Sequence, residues 1–148
     1  MAENQTLPYF VGALITSAVG WILLLVTDFG GFDGSNYYLG VYLYGGLDAW
    51  SLYGIPILLS AFPLLYCTII SIFVLRFPER IPDKKFIHYG FYLGLITVIL
   101  SIINAIIFGV VAESEDWWWW FDAGFYGGII GGALTAVLFY LGEKTVEL

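Results

Sequence analysis

Seven carboxylates and no base fall in two segments of this chain: Asp28, Asp33 and Asp48 in residues 28–52, and Glu113, Glu115, Asp116 and Asp122 in residues 113–122. Carboxylates gathered at one mouth concentrate cations. The second group surrounds Trp117-Trp118-Trp119-Trp120, whose ring faces attract cations as well. Neither segment carries the ligand spacing of a calcium loop, so no metal site is expected. The other reactive residue types are sparse. His88 is the sole histidine, and Cys67, the sole cysteine, falls in an apolar stretch, which leaves no disulfide, no redox pair and no cysteine metal cluster. There is no Gly-x-Ser-x-Gly and no phosphate-binding glycine loop. We therefore expect no catalytic residue, no cofactor and no enzyme.

The elements that must carry these residues are membrane spans. Four stretches, 9–27, 53–75, 87–112 and 123–142, contain no Asp, Glu, Lys or Arg, and each is long enough to cross a hydrocarbon core about 30 Å thick. The composition, 60% apolar and 11% charged, departs far from the roughly 25% charged residues of soluble domains. The expected fold is an all-α integral membrane protein, a four-transmembrane-helix bundle in a single membrane domain spanning 1–148. The first stretch lacks the basic flank and small-residue cleavage site of a secretory signal, so it is read as retained.

Orientation follows from Lys and Arg. Arg76, Arg80, Lys84 and Lys85 lie between the second and third stretches, and Lys144 follows the fourth. With an even number of spans, both termini share the side of that basic loop, residues 76–86, which is the cytoplasm. Glu3, Glu79, Asp83, Glu143 and Glu147 lie on the same side and balance the five bases, so the whole net charge of −7 belongs to the two external loops. A plasma-membrane protein with cytoplasmic termini is expected. The Asn4-Gln5-Thr6 sequon then stays on the cytoplasmic side and is left unmodified.

The first external loop reads as a turn at 30–36 followed by a strand or small hairpin at 37–44, where tyrosines and aliphatic residues alternate. Its tyrosines, Tyr37, Tyr38, Tyr42 and Tyr44, either cap the bundle or present a recognition surface. Trp117–Trp120, read as a helical turn, would point in four directions, so some indoles must meet lipid headgroups or another protein. The fourth span carries Gly124, Gly128 and Gly132 at a spacing of four, with Gly127 and Gly131 one residue behind. Such ridges let helix backbones approach closely, either against Gly12, Ala13, Ser17 and Gly20 of the first span or against another subunit. Pro56 and Pro63 interrupt the second span. Thr97, Ser101 and Asn104 share one face of the third and are expected to act as interhelical hydrogen-bonding glue. No acid or base stands inside a span, which argues against proton-coupled transport and voltage sensing.

The plan of short termini, a longer strand-bearing first external loop, a basic turn and a shorter second external loop resembles the claudin and peripheral-myelin-protein tetraspan superfamily. Thr27-Asp28-Phe29 is similar to a threonine, acid and aromatic found there, and Leu39-Gly40-Val41-Tyr42 to its Gly-Leu-Trp signature, with Tyr42 in place of tryptophan and without the paired cysteines that follow. The resemblance implies a left-handed four-helix bundle with a small external β-element that acts through contacts with other proteins. The expected role is a non-enzymatic tetraspan that organises or accompanies other membrane proteins. An accessory subunit of a large membrane enzyme and an oligomeric cation pore are the alternatives. The expected partners are the lipid bilayer and other membrane proteins or further copies of the chain, with no nucleic acid among them.

Overall fold

The computed structural model describes residues 2–33, 41–43, 54–114 and 118–147. Helix α1 runs Ala2–Val26, strand β1 Gly30–Asp33, strand β2 Val41–Leu43, helix α2 Gly54–Arg76, helix α3 Lys85–Ser114, strand β3 Trp118–Phe121 and helix α4 Ala123–Glu143; a 3-10 turn, Pro78–Arg80, links α2 to α3. All four helices are long and apolar enough to cross a membrane. Each packs on its sequence neighbours and α1 closes on α4, which makes a four-cornered bundle.

Apolar clusters fill both ends of the bundle. Near the strands, Leu24, Phe29, Ile57, Ala61, Leu64, Ala105 and Phe108 form one; toward the basic turn, Phe10, Ala13, Cys67, Ile70, Ile81, Ile87 and Phe139 form the other. Side chains facing outward are mostly large and aliphatic, among them Ile15 and Val19 of α1 and Ile99 and Ile106 of α3. An exposed aliphatic surface of this extent suits a hydrocarbon solvent and not water.

The strands form one antiparallel sheet in the order β2-β1-β3. Gly30, Gly31 and Phe32 pair with Leu43, Tyr42 and Val41 on one side, and Gly30 to Asp33 pair with Phe121 back to Trp118 on the other. Two sequence expectations change here, and a third falls only partly on described residues. Residues 30–33 are a strand where a turn was expected, because rings from neighbouring elements pack where the two glycines have no side chain. The tyrosine-rich strand expected at 37–44 is described only at 41–43. The indoles of Trp118, Trp119 and Trp120 sit on a strand and not on a helical turn, since pairing with β1 satisfies their backbone and aromatic residues suit a pleated surface. The β-element thus belongs to both connecting segments, not to the first alone.

At its first turn α4 is stitched to the end of α1. Phe29 O accepts from the Asp122 amide and Asp28 O from the Gly124 amide, each at 3.0 Å. Asp122 caps α4, its Oδ1 accepting from the Ala123 amide at 2.8 Å, where a negative charge also complements the helix dipole.

Candidate functional site

The sheet end of the bundle gathers the described acidic and aromatic candidates, and alternation along β3 sorts its aromatic residues. Trp119 and Phe121 turn toward the bundle. Trp119 meets Phe108 edge-on at 5.9 Å, and Phe121 stacks on Phe125 at 4.0 Å. Phe29 completes the group with edge contacts to Phe121 and Phe125 at 6.5 and 5.6 Å. Below the sheet, Phe108 packs against Gly30 so closely that a Cβ there would stand 2.6 Å from its ring. Trp118 and Trp120, pointing the other way, are 83% and 40% exposed.

Asp122 is the α4 cap, and Glu113 Oε1 accepts a 2.7 Å bond from the Trp119 indole N–H. Asp28 lies in the link between α1 and β1, beside the start of α4, and Asp33 is paired in register with Trp118. Among the tyrosines, Tyr42 lies on β2, in register with Gly31. Tyr37, Tyr38, Tyr44, Asp48, Glu115, Asp116 and Trp117 lie outside the described residues. Among the described residues no three of His, Cys, Asp and Glu come together as a metal-binding group would require.

The glycine ridge of α4 faces its own chain on two sides. Gly124 lies against the Asp28 and Phe29 backbone, Gly127 against Leu23, and Gly131 against Gly20, whose Cα would stand 3.0 Å from an added Cβ; Gly128 and Gly132 face Ser101 and Gly94 of α3. Both α1 and α3 therefore approach α4 to near backbone contact. On the outer side of the α1–α4 seam remains a wholly apolar groove of about 280 Å³, bordered by Ile15, Val19, Leu23, Ile130 and Leu134.

Hydroxyls and one amide join the helices through the interior. Asn104 Nδ2 donates to Ser60 Oγ at 3.0 Å, Ser60 Oγ donates to Pro56 O at 2.9 Å, and Thr97 Oγ1 donates to Ser60 O at 3.2 Å. Ser60 is thus a node joining α2 to α3, a role its sequence neighbourhood does not mark. Ser17 with Thr68 ties α1 to α2, and Thr16 with Thr135 ties α1 to α4, both at 2.9 Å. Ser101 differs from its two neighbours on the same face: its hydroxyl is buried against Gly128 and, like the Trp21 indole N–H, has no partner among the described residues.

At the opposite end, His88 Nδ1 meets Glu143 Oε2 at 2.9 Å, joining α3 to α4. Lys84 Nζ donates to Val146 O at 3.1 Å and Thr6 Oγ1 to Thr145 O at 3.0 Å, which fastens the segment after α4 across the starts of α1 and α3. His88 is accordingly engaged in a structural contact between helices. Compared with protein-family models, with curated proteins and with solved structures, the chain shows no significant match.

Proposed function

We propose that this chain is a non-enzymatic, multi-pass plasma-membrane protein, claudin-like in plan, that organises or accompanies other membrane proteins through the end of the bundle that carries the sheet. The observation that supports it most is the joining of both connecting segments at that end into one sheet, β2-β1-β3, seated on Phe108. A hairpin alone is marginal in water, whereas strands packed on a helical core hold a fixed surface. A fixed surface loses less conformational freedom when it meets a partner.

The bundle beneath suits a scaffold. Its buried amide and most of its buried hydroxyls hydrogen-bond to one another or to backbone carbonyls, and no charged residue interrupts the central turns of any span. The bases cluster at the other end, so the positive-inside tendency turns the sheet outward and leaves both termini in the cytoplasm. Asp122, one of the seven acids that would give a cation-pore mouth its charge, serves as a helix cap, which makes the pore the weaker reading.

Purification of the native protein in mild detergent, with particle mass and subunit identities determined together, tests the proposal. A defined complex with another membrane protein is the expected result, whereas a closed oligomer of this chain alone would favour a self-sufficient tetraspan or the pore. Recovery as a single copy under several mild detergents would overturn it. Recovery within a large cofactor-bearing enzyme would replace the organising role with that of an accessory subunit.

A further inference from the structure

The lengths and registers of the helices set the height of the sheet relative to a bilayer. Helix α4 has 21 residues, and the apolar spans of α1 and α2 have 22 and 21. At about 1.5 Å per residue each measures roughly 32 Å, the thickness of a hydrocarbon core. Helix α3, with 30 residues, measures roughly 45 Å by the same rise.

The surplus of α3 falls entirely at the sheet end. Its antiparallel register with α4 runs from Gly90 against Phe139, through Gly94 against Ala136, to Ser101 against Gly128. Continuing that one-for-one register sets Ala123, the first residue of α4, opposite Ile106. Residues 107–114 of α3 then extend past the start of α4, over a height of about 12 Å.

β3 lies beside this overhang. The Trp119 indole packs on Phe108, comes within 3.6 Å of where a Cβ on Gly109 would be, and bonds to Glu113. It therefore sits roughly 3–10 Å beyond the start of α4; with the 21 residues of α4 set across the hydrocarbon core, that range overlaps the headgroup layer of about 5–7 Å on each side of a bilayer. Trp118 and Trp120 flank it in the strand and turn to its opposite face. Val110, at that level on α3, is 63% exposed, an apolar surface that water does not favour.

We infer that the outward face of β3 is a lipid contact: Trp118, with Trp120 beside it, seats in the headgroup layer of the leaflet at the sheet end. The indole body rests at the acyl boundary, and its N–H is placed among phosphate and ester oxygens. The inference rests on the membrane-spanning reading of the four helices but not on any protein partner. It divides the tryptophan run by function, with Trp119 holding the sheet to the bundle and Trp118 holding the sheet to the membrane.

The test places a nitroxide at Trp118→Cys in a Cys67→Ala background, reconstituted in phosphatidylcholine vesicles, and compares its collision rates with oxygen and with a water-soluble nickel chelate. Ile99→Cys, in mid-span, and Glu79→Cys, in the basic turn, give the two reference limits. The expected ratio lies between them, at headgroup depth. A ratio equal to that at Glu79 would place the residue in water and overturn the inference. Protection from both agents with an immobilised spectrum would also overturn it, by showing that protein covers the site. A second measurement avoids altering the fold: lipids brominated near the headgroup end of the chain should quench part of the native emission, and Trp118→Phe should remove that part. Equal quenching before and after the substitution would likewise sink the idea. A single-copy particle in the native purification would leave these results unchanged, so the two readings fail separately.

Discussion

The indole of Trp120 occupies the space that a side chain on Gly31, its partner across the β1–β3 ladder, would need. Phe108 presses on the neighbouring Gly30 from the bundle side, so two adjacent glycines admit one ring on each face of β1. A glycine pair that weakens an isolated strand here brings the sheet into contact with the helices.

This relationship gives the first prediction. Gly31→Ala should destabilise the protein by about 1–3 kcal/mol, the usual cost of forcing extra volume into a packed site, seen as a fall in the thermal unfolding midpoint in detergent. In a Trp120→Ala background most of that cost should vanish. An equal cost in both backgrounds would mean that the indole is not responsible.

The hydrogen bond from Asn104 to Ser60, 3.0 Å between buried residues of α3 and α2, gives the second. Interhelical bonds of this kind contribute about 0.6–2 kcal/mol. A double-mutant cycle of Asn104→Ala and Ser60→Ala should return a coupling of that order, whereas Ser101→Ala, which removes a hydroxyl with no partner among the described residues, should cost less than Asn104→Ala. A coupling near zero would make the pair a by-product of packing.

The third concerns orientation. In a Cys67→Ala protein, a cysteine at Ser114, exposed at the sheet end, should react with an impermeant thiol reagent on intact cells, while one at Glu79, exposed in the basic turn, should react only after permeabilisation. The reverse pattern would turn the bundle over and put the acidic segments inside.

Four apolar stretches and the placement of the bases were legible in the chain by itself, because hydrocarbon thickness dictates span length and admits almost no charge. The helices followed within a few residues at most ends, and the exception, the start of α1 at Ala2, is a helix continued through Pro8 where the sequence shows no apolar run. The face carrying Thr97, Ser101 and Asn104 could also be read from helical spacing alone. That Asn104 bonds to Ser60 and Ser101 to nothing described depends on which helix lies opposite, and this is a property of the packed bundle. Strand and turn at 30–33 are separated by tertiary contacts: Gly30-Gly31 is a turn signal locally and becomes a strand when β2 and β3 pair with it and Phe108 and Trp120 fill its two faces. The tryptophan run states its hydrophobicity in the sequence, but which indole holds the bundle and which turns outward was decided by the period of a strand, which tertiary pairing imposed.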